Sequence, residues 1–459
     1  MERYDSYKDS GVDWMNKIPS NWEKSRIRMV GDLYGGLTGK KGSDFNDEDN
    51  SSNKPFVPFT NIFNNTYISK DHFQYVNVKE NENQNRVLKN DLFFLMSSES
   101  YEDLGKCSIL LEDVEELYLN SFCKGFRIKD SKVYPLFLNY QLLGSLHKEM
   151  ISIEGNGFTR INLRQDRLLD IPVFIPPLSE QQQIVSFLDT KTSLIDSLIE
   201  KTQRKIELLK EKRTSLINEV VTKGLNPNVE MKDSGVEWIG EIPSHWEYIP
   251  TKYFTINDKG VQTGPFGTQL NTKDYVESGV KVMNQKTLID EDYDIGEEFI
   301  SYEKYESLKV FEVIEGDIIM GTRGSFGTGK RTTFGKVSIV PSGLGDCVLH
   351  PCLIRIRLKE NLMMKRYYYI YVNDSSYFLD DVKDTSNSTT IEVIYGVTLK
   401  DIKVPVPPIQ EQQQIVEYLD EQTQLIDKTI SIEKKRIELL KEYRQSLISE
   451  VVTGKRKVV

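Results

Sequence analysis

The chain predicts a mixed α/β protein built as a pseudo-two-fold internal duplication, with two globular blocks joined by two long helices that pair antiparallel as a coiled coil. Three observations predict it: two frame segments repeat almost verbatim, the stretches between them do not, and short strand-like runs twice give way to a sustained helical spacing. DSGVDWMNKIPSNWE from Asp9 returns as DSGVEWIGEIPSHWE from Asp233, an offset of 224 (233 minus 9). PPLSEQQQIV from Pro176 returns as PPIQEQQQIV from Pro407, and KIELLKEKRTSLINEVVT from Lys205 returns as RIELLKEYRQSLISEVVT from Arg436, both at an offset of 231 (407 minus 176). The stretches Lys24 to Ile175 and Tyr248 to Val406 have diverged. A repeated frame around two unlike inserts suits a device that makes two related but unequal contacts.

The helices are read from their apolar stripe. Leu188, Ile195, Ile199, Ile206, Leu209 and Leu216 alternate at three- and four-residue steps with their neighbours, and Leu419, Ile426, Ile430, Ile437, Leu440 and Leu447 repeat them 231 residues later (419 minus 188). Such a stripe keeps one face of a helix on a partner helix. The Pro-Pro steps and Ser179 mark the starts, and Gly224 with Pro227 beyond marks the first stop. Chain order favours intramolecular pairing of equivalent seams, which makes the helices antiparallel. A second apolar edge, with Ile184, Phe187, Leu194 and Leu198 partly repeated by Ile415, Tyr418, Leu425 and Ile432, calls for burial against the blocks or a separate subunit. The expected boundaries are 1–175 for the first block, 176–224 for the central helix, 225–406 for the second block and 407–459 for the terminal helix.

Both blocks read as short apolar strands punctuated by Gly and Asn turns. KNDLFFLMS from Lys89, KCSILL from Lys106 and FCKGFRI from Phe122 supply strands in block one; VKVMN from Val280, VIEGDIIM from Val313, KVSIVP from Lys336 and CLIRIRL from Cys352 supply them in block two. The parallel between KNDLFFLM and EGDIIM points to one fold under two surfaces.

The 459 residues give ample chain for real cores, and 38% hydrophobic with 28% charged residues is an ordinary globular composition rather than a disordered one. The polar start MERYDSYKDS lacks a signal-peptide pattern and no apolar run approaches a membrane span, so a cytoplasmic location with no membrane partner is expected. Cys107, Cys123, Cys347 and Cys352 lack the spacing of a disulfide framework or a zinc site and are expected as buried free thiols. A net charge of -10 argues against indiscriminate nucleic-acid binding. Each helix is nonetheless basic locally, with seven basic and three acidic residues from Lys201 to Lys223, and eight and four from Glu433 to Lys457.

Glycine-bearing loops with Arg, Lys, Asn or Gln are the candidate contacts, since glycine admits close backbone approach and these side chains match phosphates and base edges. In block one they are GGLTGKKGS from Gly35, with Thr38, Lys40 and Lys41, and EGNGFTRINLR from Glu154, with Arg160, Asn162 and Arg164. In block two they are QTGPFGTQLN from Gln262, with Thr263, Phe266, Gln269 and Asn271; GTRGSFGTGKR from Gly321, with Arg323, Lys330 and Arg331; and TSNSTT from Thr385, with Asn387 and Thr389. GSFGTGKR from Gly324 approaches a phosphate-binding loop, but Arg331 stands where a hydroxyl should ligate magnesium and a strand-like run follows. No catalytic triad, nuclease cluster, metal site or methyltransferase motif is legible, so neither catalysis nor a cofactor is expected.

These motifs resemble the specificity subunit of a type I restriction-modification system. DSGVEWIGEIPSHW with its earlier copy, TGPFGTQL from Thr263, and the paired PPLSEQQQIV and PPIQEQQQIV segments opening long helices carry the resemblance, over essentially the whole chain. It implies that each block is a target recognition domain reading one half of an asymmetric, interrupted double-stranded DNA site. It also implies that the helices space the blocks and dock DNA methyltransferase subunits, which recruit restriction and translocase subunits in phage defence. Block one departs from the pattern in carrying GGLTGKKGS where GPFG is expected. The competing readings are a nucleotide-dependent enzyme using the Gly324 to Arg331 loop and a coiled-coil scaffold with no nucleic-acid role.

Overall fold

The computed structural model describes the chain except residues 1–2, 13–14, 46–52, 258, 291–292, 295, 297, 325–332, 386–391 and 459. It divides into two compact units, Met1–Gln203 with Lys434–Val459, and Arg204–Glu433. Each therefore holds one block, the opening of one long helix and the close of the other.

The repeated DSGV segment folds identically in both units because its residues dictate a local turn. In the first, Tyr7–Asp9 pairs antiparallel with Lys17–Pro19; in the second, Met231–Asp233 pairs with Glu241–Pro243. The carboxylates of Asp9 and Asp233 accept from the amides of Gly11 (2.7 Å) and Gly235 (2.8 Å), at positive φ where a Cβ would be strained. The tryptophan closing each motif, Trp22 or Trp246, is wholly buried, and its indole N–H donates to the first-turn glutamate of a long helix, Glu180 (2.9 Å) or Glu411 (3.0 Å). The neighbouring glutamines complete the clasp. Gln181 Nε2 donates to the carbonyls of Pro176 and Lys132, and its Oε1 accepts from the Tyr134 amide; Gln412 does the same with Pro407, Leu362 and Met364. The verbatim repeats are thus structural, since they tie helix starts to the blocks.

Each insert is closed at its root by its own entry and exit strands. Glu23–Arg26 pairs antiparallel with Pro172–Ile175, and Glu247–Pro250 with Lys403–Val406. Above these roots both units build the same four-stranded antiparallel sheet. Its order in the first is Gly31–Gly35, Cys123–Ile128, Leu92–Leu95, Cys107–Ile109, and in the second Val261–Thr263, Leu353–Ile356, Ile318–Gly321, Val337–Ile339. The matched registers explain the KNDLFFLM and EGDIIM parallel. Asp91 and Asp317, both buried, receive two guanidinium hydrogen bonds each from Arg127 (2.9 and 2.7 Å) and Arg357 (2.6 and 2.9 Å). Fixed bidentate geometry lets a carboxylate leave water without remaining uncompensated.

The long helices run Leu178–Lys223 and Ile409–Val452. Ser179 lies inside the first turn rather than at the cap, because Pro177 already accepts from the amides of Glu180 and Gln181. In the first unit Ile184, Val185, Leu188 and Ile195 share a core with Leu447, Ile448, Val451 and Val452; in the second Ile217, Val220 and Val221 share one with Ile415, Val416 and Leu419. Early turns of one helix meet late turns of the other, so the pairing inside each unit is antiparallel. Two equivalent ion pairs mark its register: Arg444 with Asp196 (2.9 Å) in the first unit and Arg213 with Asp427 (3.3 Å) in the second. Their members are equivalent in the repeat, since Arg213 and Arg444, and Asp196 and Asp427, each lie 231 residues apart (444 minus 213, 427 minus 196). All twelve seam residues named from sequence are buried or half-buried.

Candidate nucleic-acid interface

In each unit the strand after the sheet's central member leaves the core and pairs with a late strand of the insert. In the first unit Ser97–Ser98 pairs antiparallel with Ile161–Leu163, which also pairs with Gly155–Asn156; in the second Arg323–Gly324 pairs with Glu392–Val393. Counting along the matched registers puts Ser97 where Arg323 stands, and Asn162 where Val393 stands. The loop after the first sheet strand joins this edge at an equally equivalent point. A Cβ on Gly36 would lie 2.0 Å from the Asn120 carbonyl oxygen, and one on Gly264 2.2 Å from that of His350, so glycine alone fits where GGLT and TGPF turn. GGLTGKKGS and TGPFGTQLN are one structural loop in two sequences.

The residues named from sequence fall into four groups. Lys40 is turned inward, its ammonium on Glu82 (2.5 Å) and the Asn77 carbonyl (2.5 Å), and so braces its loop instead of presenting a cation. Arg164 is exposed but bound bidentately to Asp166; Gln269 and Asn271 are exposed and hydrogen-bonded to the backbone of their own loop. Thr38, Lys41, Arg160, Asn162, Phe266 and Arg323 are exposed, and Thr263 is half-buried against Gly396. Lys330, Arg331, Asn387 and Thr389 lie outside the described residues.

The first unit's edge is concave. A cavity of about 650 Å³ is lined by Phe59, Phe63, Phe122, Thr159, Arg160, Asp103 and the run Ser97–Ser100. Phe59 and Phe63 stack at 5.9 Å, the Lys106 ammonium sits 4.3 Å over the Phe63 ring, and the Arg160 guanidinium lies 5.7 Å over Phe122. Arg160 Nε donates to Ser97 Oγ (2.7 Å). Phe158, at the turn two residues before Arg160, is wholly exposed, and Tyr101 reaches the Gly157 carbonyl beside it. In the second unit Arg323 stands near His350, whose pKa burial lowers and whose lowering Arg323 reinforces; Tyr395 and Val397 are exposed beside Thr263. Aromatic faces interleaved with guanidinium groups suit nucleic-acid bases, which offer a π-face and acceptor edges.

Sequence reasoning missed Ser97, Phe122 and Tyr395. Only the position of Ser97, directly after the LFFLM strand, could have flagged it. Cys107, Cys123 and Cys347 are buried, with the thiols of Cys123 and Cys347 pushed up to about 12 by desolvation. Among the described residues no His, Cys, Asp and Glu group could hold a metal, and no helix is long and apolar enough to cross a membrane.

Comparison with known proteins agrees with this duplicated plan. The family model for the type I restriction modification DNA specificity domain matches twice, at residues 19–208 and 249–442. The type I restriction enzyme MjaVIII specificity subunit of Methanocaldococcus jannaschii is 25% identical over 98% of this chain and 97% of its own length. The EcoKI specificity subunit of Escherichia coli K12 is 25% identical over 88% and 82%. Among solved structures, a chain from work on complex assembly and conformational transition of the type I R-M system aligns over 96% of this chain and 99% of its own, at 14% identity and a TM-score of 0.69. The HsdS subunit from Thermoanaerobacter tengcongensis aligns over 96% and 98%, at 13% identity and a TM-score of 0.55.

Proposed function

The chain belongs to the type I restriction-modification DNA specificity family, and from that premise we propose that it is the sequence-reading, non-catalytic subunit of a type I complex, each unit reading one half of an asymmetric, interrupted DNA site. The observation that carries this is the pair of equivalent loop edges on one repeated fold. The clasp residues, sheet register and ion pairs coincide, whereas Thr38 and Phe266, or Arg164 and Tyr395, fill matching places with unlike chemistry. Duplex DNA offers local two-fold symmetry that a duplicated reader can use, and unlike loops make the two halves unequal.

The acidic balance fits a reader that leaves most phosphate contacts to its partners. Methyltransferase subunits are the proposed partners, with restriction and translocase subunits joining through them. The helices offer each unit an apolar face for docking. Leu194, Leu198, Leu439 and Tyr443 are exposed in the first unit, and Leu208, Leu425 and Ile432 in the second. Leu194 repeats as Leu425 and Leu208 as Leu439, so two copies of one partner could meet equivalent leucines.

The test is to exchange residues 24–175 for those of a relative and map methylated bases in cells carrying the complete system. One half of the recognised site should change and the other persist. A change in both halves would refute the division of labour, and absence of any interrupted methylated site with the parent chain would refute the reading itself.

A further inference from the structure

Most arginines on this acidic chain are held by carboxylates: Arg26, Arg28, Arg86, Arg127, Arg164, Arg167, Arg204, Arg213, Arg357, Arg366 and Arg444 all are. Arg160 and Arg323 are exceptions, exposed and without a carboxylate partner among the described residues. Their positions are related. Arg160 comes from the late strand's hairpin and hooks onto Ser97 of the opposing strand; Arg323 grows from the place in the second unit that Ser97 occupies in the first. An arginine is thus tied to one equivalent strand position in both units, anchored on it from the facing hairpin in the first and growing from it in the second.

The geometry of Arg160 limits what it can grip. Its Nε is committed to Ser97 Oγ at 2.7 Å and its Cζ lies 5.7 Å from the centre of the Phe122 ring, while Nη1 and Nη2 make no hydrogen bond among the described residues. What remains is a planar, two-pronged donor already tethered through Nε, so less side-chain entropy is lost when it engages than for an untethered arginine. Two parallel donors match the O6 and N7 acceptors of guanine in the major groove. A phosphate would also accept them, but a phosphate contact carries no sequence information and would not distinguish one base pair from another.

Resting on the reading given above, we infer that Arg160 and Arg323 are equivalent guanine-reading residues, one for each half of the recognised site, with Ser97 and Phe122 positioning the first. Each half-site then contains a G·C pair whose guanine N7 is contacted. The experiment uses the full chain assembled with its methyltransferase subunits. The interrupted site is first defined by mapping methylated bases in cells carrying the parent system; if none is found, the functional reading fails before this inference is reached.

Binding is then measured on duplexes in which each guanine of the mapped site is replaced in turn by 7-deazaguanine, which lacks the N7 acceptor. One position in each half should lose affinity on the order of tenfold. Arg160→Gln should abolish that sensitivity in one half only, Arg323→Gln in the other, and Ser97→Ala should weaken discrimination at the Arg160 position while the other half stays intact. Insensitivity of the parent complex to every 7-deazaguanine overturns the inference without any variant having to fold. So does a uniform loss of affinity in Arg160→Gln with the mapped site unchanged, the signature of a phosphate contact.

Discussion

Replacing Gln181 by Leu should destabilise the first unit by about 3–4 kcal/mol, although leucine is of similar size and the site is fully buried. The amide makes three hydrogen bonds: from Nε2 to the carbonyls of Lys132 (2.7 Å) and Pro176 (2.8 Å), and from the Tyr134 amide to Oε1 (2.8 Å). Each is worth about 1 kcal/mol net, and the Pro176 carbonyl, whose bond is fully buried, would also be left without water, adding roughly 1 kcal/mol. Apolar gain from the leucine offsets little, since the three partners of the amide are backbone polar groups. Hydrogen exchange resolves the effect by unit. In Gln181→Leu, amides of the helix Pro135–Leu143 and of the first turns after Leu178 should exchange roughly several hundredfold faster, with Lys365–Asp374 unchanged. Gln412→Leu should give the converse, because its three bonds repeat the same geometry. Protection in both variants within a factor of about 2 of the parent would show that the repeated glutamines do not hold the helix starts.

Acid should weaken the first unit through His147. Its ring is fully buried, Nε2 donates to the Pro172 carbonyl (3.0 Å), and desolvation lowers its pKa to about 4. The unfolded chain takes up that proton near pH 6.5 and the folded one only near 4, so stability is lost as pH falls through this window, by at most about 3 kcal/mol; urea midpoints at pH 7 and 4.5 should differ more in the parent than in His147→Gln. Ellman's reagent should titrate Cys352 under native conditions and reach Cys107, Cys123 and Cys347 only on unfolding, as their burial dictates. A double-mutant cycle on Asp196 and Arg444 should return less than about 1 kcal/mol, because the pair is partly exposed and solvent screens it. Leu194→Asp with Leu439→Asp should remove one methyltransferase subunit from the complex in native mass spectrometry, and Leu208→Asp with Leu425→Asp the other; retention of both in either variant would reject the docking face.

Much of the architecture was legible because it is written as repetition. The stripe from Leu188 to Leu216 and its copy from Leu419 to Leu447 needed only a period, and helix ends followed from Pro and Gly, whose backbone limits are local. The contact loops were legible only as composition. Lys40, Lys41 and Arg160 are alike as letters, yet Lys40 is bound by Glu82 and Asn77 while Arg160 is aimed by Ser97 and Phe122. No spacing rule encodes those partners, which lie far along the chain.

By itself the sequence determined that the frame is duplicated, where the two long helices run, and which loops differ between the halves, since each of these rests on local backbone preference or on comparing one stretch of text with another. Tertiary structure alone decided that the repeated Trp, Glu and Gln residues are clasps, that Asp91 and Asp317 are buried anchors for Arg127 and Arg357, and that Arg160 is anchored on Ser97, the strand position that Arg323 holds in the second unit. The physical reason is that a charged or polar side chain has no fixed role until burial and partner are set, and both are properties of chain segments brought together by folding.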